Sequence, residues 1–442
     1  MSYLNFNKTL LINLDKSLTK EMIRTNRAGA YNSTTLIDCN TRKYHGQLVM
    51  PILEFDEPNH VFLYSLDETV IQHGAEFNLG IHKYEGNTYS PNGHKYIRQF
   101  DCEVVSRTVY RVGGVILSKE RMLVSFEPRV LFKYTLLEAH SPTLLRFKPF
   151  LAFRSVNDLT HQNDIADTAY VEVQDGIRMC LYESYPCLHM QFSKKITYVH
   201  QPDWHKNIEY FKEQERGYAF KEDLLVPGYF EMPIKKGESI IFSAGVTELS
   251  PRKLKALWEE ELTRRNERVD MFSCLKNSAQ QLYKREGDKT YLLAGYLWFG
   301  ARARDQFVAL SGCTFTIERM DYFNDIIETS IAELKRFMDG ERTGFKLQGI
   351  DDPDVLLWFL WTIQQYAIST SIEEAANRFC ELAADIISYI RKQNHPNLFL
   401  HNNGLLYTNG TERPATWMNA VENGRPITPR TGYVVEINAL WY

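Results

Sequence analysis

The sequence changes character near residue 250, and this change limits the architectures that the chain can adopt. From about residue 30 to residue 250, short runs of β-branched and aromatic residues alternate with turn residues, which is typical of an antiparallel sandwich. From residue 271 onward, apolar residues recur at helical spacing. The pattern therefore predicts a large antiparallel β-sandwich at residues 1–250, a linker helix at 251–270 and a helical domain at 271–442. A length of 442 residues also favours two domains.

Individual elements can be placed from local patterns. Ser250 and Pro251 have the residue types of a helix N-cap and first helical position. The helix predicted around Leu356–Trp361 is apolar on nearly every side, so other helices must bury it, as in the inner ring of an α/α barrel. The predicted strands include His60–Leu66, Arg107–Leu117, Arg129–Ala139 and Ser239–Val246, and the predicted helices include Met320–Met338, Asp354–Ala367 and Ile372–Ile390.

The charge and the cysteines of the chain limit which partners and which cellular compartment are expected. The chain has 51 basic and 55 acidic residues, a net charge of −4, which gives no reason to expect nucleic acid or an anionic membrane surface as a partner. Seven cysteines lie scattered without Cys-x-x-Cys spacing, which argues against a disulfide framework and a zinc site. The sequence has no stretch typical of a leader or of a membrane span. We expect a soluble protein of the reducing cytoplasm.

Two motifs carry polar residues in conspicuous patterns. Asn40-Thr-Arg-Lys-Tyr-His-Gly follows an Asn26-Arg-Ala-Gly-Ala-Tyr element, and its His45, taken by itself, favours a structural role over a ligand-binding one. The segment Ala294–Gly312 contains the adjacent Arg304 and Asp305. A guanidinium beside a carboxylate supplies fixed donors and acceptors, which the recognition of one sugar epimer requires. Without further context, an ordinary ion pair at a helix N-terminus is the favoured interpretation.

Three more segments follow in the second half of the chain. The segment Asp351–Phe359 reads Asp-Asp-Pro-Asp-Val-Leu-Leu-Trp-Phe, and its Asp354 either caps a helix or contacts a ligand, with equal weight. Thr416-Trp-Met-Asn-Ala is followed by the long string Ile427–Tyr442, which contains Thr-Pro-Arg and Val-Glu-Ile-Asn-Ala-Leu-Trp-Tyr.

In this order, the motifs resemble the glycogen debranching enzymes of bacteria and archaea, the amylo-α-1,6-glucosidases. The resemblance spans almost the whole chain and is most specific in Thr416–Ala420 and Ile427–Tyr442. It implies a β-then-α chain in which a large antiparallel β-sandwich precedes an incomplete (α/α)6 barrel. It also implies hydrolysis of the α-1,6-glucosidic branches of glycogen, with an α-glucan (glycogen or limit dextrin) as the partner and no cofactor or metal.

The resemblance also assigns roles to single residues. Arg304 and Asp305 match the family's pair that hydrogen-bonds the terminal glucose, while Arg302 stands where a tryptophan is usual, so one sugar-stacking wall is expected to be missing. Further substrate-binding residues expected from the matched motifs are Trp298, Asp354, Trp358, Trp417, Arg430 and Glu436.

Position 419 bears on the mechanism. An inverting glycosidase needs a carboxylic acid that protonates the leaving oxygen and a carboxylate, about 6.5 to 9.5 Å away, that activates water. The resemblance puts the general acid at Asn419, and an amide has no proton to deliver near neutral pH. It puts the general base beyond the last residue of this chain. The family's reaction is therefore expected, whereas the catalytic activity of this chain stays open.

Two alternatives remain beside a hydrolase. One is a non-catalytic protein that binds α-glucan through its sandwich and the remaining half of the pocket. The other is a truncated gene product whose barrel cannot close. An open helical face would in either case favour self-association.

Overall fold

The computed structural model describes residues 2–52, 54, 55 and 59–442. By its contacts the chain divides into two compact units, Met1–Asn277 and Ser278–Tyr442. The strands of the first unit are β1 Asn5–Asn7, β2 Glu21–Thr25, β3 Tyr31–Thr35, β4 Gly46–Pro51, β5 Asn59–Gln72, β6 Ala75–Asn78, β7 His82–Tyr84, β8 Thr88–Ser90, β9 Ile97–Cys102, β10 Ser106–Val112, β11 Val115–Leu123, β12 Arg129–Glu138, β13 Thr143–Ser155, β14 Tyr170–Val173, β15 Gly176–Met179, β16 Leu188–Phe192, β17 Thr197–Glu209, β18 Lys221–Ile234 and β19 Ser239–Gly245. Its helices are α1 Lys8–Leu11, α2 Leu14–Ser17, α3 Phe211–Gln214 and α4 Leu254–Thr263, and α5 Met271–Gln280 lies at the boundary of the units.

Most of these strands form two antiparallel sheets. The nine-stranded sheet has the order β1-β9-β10-β11-β12-β19-β16-β15-β14, and the eight-stranded sheet has the order β17-β18-β13-β5-β4-β3-β2, with β6 paired to β5. Buried rings join the two sheets: Tyr134 contacts Phe147 with ring centroids 4.8 Å apart, and Phe192 contacts Phe230 at 5.1 Å. The predicted large antiparallel β region is confirmed. The segment Arg107–Leu117, predicted as one strand, is instead the β10–β11 hairpin, because Gly113 and Gly114 both have positive φ and turn the chain.

The first motif lies within this unit and is structural. His45 is completely buried, and its Nδ1 accepts a hydrogen bond from the backbone N–H of Thr41 at 3.1 Å. Burial lowers the pKa of His45, although the Glu21 carboxylate 3.7 Å from its Nε2 works in the opposite direction. The burial of His45 and its bond to Thr41 support the structural interpretation, although its Nε2 has no hydrogen-bond partner among the described residues.

The predicted linker helix is shorter than expected and packs on the first unit. Helix α4 begins after a 3-10 turn at Pro251–Lys253 and ends at Thr263, so the prediction of helix to about residue 270 is wrong. Its Trp258 has no exposed surface and packs with Leu131 and Ile241 of the nine-stranded sheet. This burial explains the end of the helix, since only the segment with an apolar face is held against the sheet.

The argument from cysteine spacing missed one bond. Cys180 and Cys187 form a disulfide with their Cα atoms 4.3 Å apart, and the other five cysteines are free. The strand register gives the reason: Met179 at the end of β15 pairs with Leu188 at the start of β16, so the next residues of the hairpin face each other. The prediction of a reducing cytoplasm loses the part of its support that came from unpaired cysteines.

The second unit is mainly helical. Its helices are α6 Ala303–Cys313, α7 Met320–Met338, α8 Val355–Ser369, α9 Ile372–Arg391 and α10 Val435–Trp441, and its short strands are β20 Tyr283–Glu286, β21 Lys289–Leu292, β22 Leu398–Leu400, β23 Leu406–Thr408, β24 Val421–Glu422 and β25 Arg425–Pro426. The three helices predicted from apolar spacing are confirmed, with ends shifted by at most two residues. Helix α8 packs against α6, α9 and α10, as its apolar surface requires. None of the helices formed by the described residues is long and apolar enough to span a membrane.

Candidate functional site

A pocket of about 320 Å³ lies in the second unit, where three segments distant in sequence meet. The segments are the start of α6, the loop that precedes α8, and the loop that follows β23. The residues that line the pocket are Arg302, Arg304, Asp305, Gln348, Gly349, Asp352, Arg413, Pro414 and Asn419.

Backbone hydrogen bonds fix the first two segments to each other. The N–H of Ala303 donates to the carbonyl of Gln348 at 3.0 Å, and the N–H of Gln348 donates to the carbonyl of Ala301 at 2.9 Å. Gly349 follows with φ +69°, and a Cβ atom there would lie 2.9 Å from Oδ2 of Asp352. Only glycine lets the chain turn here while that carboxylate stays close.

Arg304 is the buried centre of the polar network beneath the pocket. It is 7% exposed, and its Nε and Nη2 donate to the two oxygens of Asp354 at 2.7 and 2.9 Å. Nη2 also donates to Oδ2 of Asp352 at 2.8 Å, whereas Nη1 makes none of these bonds. Burial works to lower the pKa of Arg304, but the bonds and charge of Asp354 and Asp352 raise it overall. The guanidinium is thus held in one orientation by a fork-to-fork pair.

A second arginine extends the network towards the surface. Arg413 donates to both oxygens of Asp351 at 2.6 and 3.1 Å and to Oδ1 of Asp352 at 2.8 Å. The hydrogen bond with Arg413 lowers the pKa of Asp351. Burial raises the pKa of Asp352 against the opposing effect of Arg304 and Arg413. Asp352 therefore bridges two guanidiniums, with one oxygen on each.

Asp354 does not act as a helix cap through its side chain. It occupies the position before α8, but within the described residues its carboxylate makes no capping hydrogen bond. The carboxylate instead accepts from Arg304 and, at 3.2 Å, from Nε1 of Trp358. The capping interpretation is wrong, because the buried guanidinium competes more strongly than the backbone N–H groups for the same oxygens. Asp354 is 2% exposed, which leaves it as a support for Arg304.

Asp305 and Asn419 give the pocket its accessible polar groups. Both residues are exposed, and Asp305 has no ion-pair or hydrogen-bond partner in the part of the chain that the structure describes. Asn419 follows a tight turn in which its N–H donates to the carbonyl of Trp417 at 3.0 Å. A carboxylate, an amide and a guanidinium around one space can bind a neutral ligand with several hydroxyl groups.

A second ion pair lies beside the turn that contains Asn419. Arg430 donates through Nη2 to Oε2 of Glu436, and its Nη1 lies 3.7 Å from the sulfur of Met418. The other carboxylate oxygen of Glu436 is buried and has no hydrogen-bond partner among the described residues. The two residues that the sequence singled out in this segment are thus paired with each other.

Most of the chain matches two models of known protein families. Residues 20–241, half of the chain, match the family model described as the N-terminal part of glycogen debranching enzymes. Residues 276–442 match the model described as amylo-α-1,6-glucosidase. The chain belongs to the glycogen debranching enzyme family. This membership places it among glycoside hydrolases.

Solved structures resemble this debranching-family chain only loosely. A bacterial glucoamylase complexed with acarbose aligns with 92% of this chain and 70% of its own chain, at 9% identity and a TM-score of 0.34. A polysaccharide lyase aligns with 55% of this chain and 34% of its own, at 12% identity and a TM-score of 0.21. Likenesses of this size carry no argument about the site. No curated protein matches the chain.

The pocket unites some of the residues that the family motifs pointed to and leaves others outside. Arg304, Asp305 and Asn419 line it, and Asp354 and Trp358 support it through Arg304. Within the described chain, the pocket lining does not include the remaining candidates, which are Trp298, Trp417, Arg430 and Glu436. Trp298 is 47% exposed and Trp417 is 63% exposed.

Sequence reasoning missed three polar side chains that line this pocket: Gln348, Asp352 and Arg413. Asp352 lies in the run Asp351-Asp-Pro-Asp354, and the high density of carboxylates in this run was the signal available from the sequence. Arg413 lies between two motifs, and no sequence signal pointed to it. Arg302, which replaces the usual tryptophan of the family, places its guanidinium 4.7 Å from the centroid of the Phe299 ring.

Proposed function

We propose that the pocket binds the terminal glucosyl unit of an α-1,6-linked branch in glycogen or a limit dextrin. The observation that carries the proposal is that Arg304, Asp305 and Asn419 line one pocket, although the first and last are more than 100 residues apart in the sequence. A volume of about 320 Å³ is near the lower end of small-molecule sites, which suits a single sugar ring. Family membership supports an α-glucan as the ligand.

The pocket's groups suit the recognition of one sugar epimer. Arg304 supplies donors from a guanidinium that Asp354 and Asp352 hold in place, and Asp305 supplies an acceptor. A hydroxyl of the wrong configuration would leave a donor of the buried Arg304 unpaired, and an unsatisfied buried polar group costs about 1–3 kcal/mol. Trp298, Trp417, Arg430 and Glu436 are proposed to contact the more distant sugar units, because they lie outside the pocket lining.

Hydrolysis in this pocket would follow the inverting acid–base route, with position 419 as the place of the general acid. Asn419 cannot donate a proton, and the loss of general-acid help typically lowers a rate by about 10² to 10⁴. Asp352 is a poor substitute, since each of its oxygens already accepts a hydrogen bond from an arginine. We therefore infer that position 419 limits the turnover of this chain.

The test is glucose release from a glucosyl-branched limit dextrin by the unaltered chain and by an Asn419→Asp variant. The proposal expects little or no release by the first and a gain of at least about 10²-fold in the second. An Asn423→Asp variant, in the exposed turn between β24 and β25, is the matched control and should change nothing. Equal release by all three proteins would refute the assignment of position 419.

A non-catalytic α-glucan-binding protein is the second candidate. The specific observation in its favour is the amide of Asn419 in a pocket that retains the sugar-binding pair. Retention on glycogen without glucose release, by both the unaltered chain and Asn419→Asp, would select this candidate.

The barrel architecture of the second unit is also a proposal. The helices α6 to α10 are proposed to represent part of an (α/α)6 barrel, which the burial of α8 by α6, α9 and α10 supports. The boundaries 1–250 and 271–442 of the two domains, the cytoplasmic location and self-association through a helical face rest on the sequence arguments alone.

A further inference from the structure

A second and larger cavity lies entirely within the first unit. It is a cleft of about 820 Å³ with three walls. One wall is α2 and the turn after it, the second is the β7–β8 hairpin, and the third is the stretch from the end of β17 through α3 to the start of β18. The residues that line it are Leu14, Asp15, Leu18, Thr19, Lys83, Glu85, Gly86, Asn87, Tyr89, Glu209, Phe211, Lys212, Gln214, Glu215, Phe220 and Lys221.

The cleft contains a buried ion pair. Lys83 is 8% exposed and Glu209 is 4% exposed, and Nζ of Lys83 lies 2.5 Å from Oε2 of Glu209. Lys221 approaches the other oxygen of Glu209 to 3.6 Å. Burying such a pair costs desolvation free energy that a merely structural contact rarely recovers. The pair therefore places strong donors and acceptors, at a cost to stability, on the surface of a cavity.

The lysines of the cleft are all paired, and its lining carries one carboxylate in excess. Its three lysines face four carboxylates: besides the contacts of Glu209, Lys212 lies 2.8 Å from Glu215 and Lys221 lies 3.4 Å from Glu85. Each lysine of the cleft thus has a carboxylate partner, and no cation is left over for a phosphate or another anion. A neutral ligand fits this arrangement, because hydroxyl groups can accept from the ammonium groups and donate to the carboxylates at once.

Aromatic residues complete the lining. Tyr89, Phe211 and Phe220 are half-buried and contribute ring surface to the cleft. Ring surface next to paired polar groups is the combination that binds the C–H faces and the hydroxyl groups of sugars. We propose that this cleft is a second carbohydrate site, for a neutral oligosaccharide of a few sugar units, separate from the pocket at Arg304. The inference rests on the cleft's own residues and does not require that the chain hydrolyse glucan.

The experiment is a calorimetric titration of the full chain with maltoheptaose. Tyr89→Ala and Lys221→Ala alter the cleft, Asp305→Ala alters the other pocket, and Tyr3→Ala removes a tyrosine that is 52% exposed outside the cleft lining. We expect each cleft variant to weaken one class of site by about ten-fold or more, equivalent to about 1.4 kcal/mol, while Tyr3→Ala changes nothing. Unchanged thermal unfolding midpoints show that the variants are folded, and two independent cleft variants keep the test decisive if one is not.

The outcomes separate this inference from the proposed function. Loss of one class of site in Tyr89→Ala and Lys221→Ala, whatever Asp305→Ala does, supports a cleft site. Binding that only Asp305→Ala weakens overturns the cleft site and leaves the pocket proposal standing. Binding of inorganic phosphate in place of maltoheptaose, sensitive to Lys221→Ala, would also overturn it, because lysines that are all paired with carboxylates do not favour an anion.

Discussion

Replacing Arg304 with methionine should destabilise the second unit far more than its single charge suggests. The change removes three hydrogen bonds and leaves the buried Asp354 without a guanidinium, while Asp352 keeps only its bond from Arg413. Removing one partner of a buried ion pair costs about 3–5 kcal/mol, because the remaining charge stays desolvated. For a unit of this size, 1 kcal/mol shifts the unfolding midpoint by about 2–4 °C, so we expect a shift of about 10 °C. Arg304→Lys keeps the charge but loses the two-pronged guanidinium, so its unfolding midpoint should lie between those of the unaltered chain and Arg304→Met.

The matched control is Arg336→Met on α7. Arg336 pairs with Glu341 in solvent, with side chains 39% and 49% exposed, and such exposed pairs contribute little to stability. Five of the seven tryptophans lie after residue 278, so thermal unfolding followed by tryptophan fluorescence reports mainly on the second unit. Equal midpoint shifts for Arg304→Met and Arg336→Met would refute the argument that Arg304 is held by a desolvated network.

Three further predictions concern other parts of the chain. Burial lowers the pKa of His395 from 6.5 to about 4. Below pH 6.5 the unfolded chain therefore takes up a proton that the folded unit does not. The free energy of unfolding should be at its full value above pH 6.5 and fall by up to about 3 kcal/mol as the pH drops to 4. Urea unfolding across this range should show the loss, and His395→Asn should flatten it; a loss of the same size in that variant would exclude His395 as its origin. Trp258→Ala should destabilise the first unit by about 3–5 kcal/mol, because it empties a fully buried site. Trp417 is 63% exposed, so Trp417→Ala should leave the unfolding midpoint almost unchanged. Similar midpoint shifts for the two variants in calorimetry would contradict the packing of α4. A double Cys180→Ser and Cys187→Ser variant should lose about 2 kcal/mol of stability. Alkylation of the unaltered chain with mass spectrometry should find five free thiols before reduction and seven after it; seven before reduction would refute the disulfide.

The sequence predicted elements well where periodicity reports burial directly. The bounds of α7 were predicted to the residue, because its apolar side chains repeat along one face and the helix is long. The β10–β11 hairpin was missed although Gly113 and Gly114 mark its turn, since the two strands share one apolar run. The end of α4 depends on which side chains reach the sheet, which no local pattern records.

The candidate site was predictable only in part, and the reason is geometric. Motif matching singled out Arg304, Asp305 and position 419, and all three line the pocket. The partners of Arg304 follow from tertiary packing: Asp352 and Asp354 lie about 50 residues away, and Arg413 enters through a loop without a motif. The disulfide depends on strand register in the same way, because it needs the pairing of Met179 with Leu188.

The most direct test of the central claim is the affinity of the Arg304 pocket for a short oligosaccharide with an α-1,6-linked glucosyl end. Titration should give a Kd about ten-fold or more weaker for Asp305→Ala than for the unaltered chain, because the pocket loses its accessible carboxylate. Asp325→Ala, which removes an exposed carboxylate on α7, should bind as the unaltered chain does. Equal affinity of all three proteins would contradict an α-glucan site in this pocket.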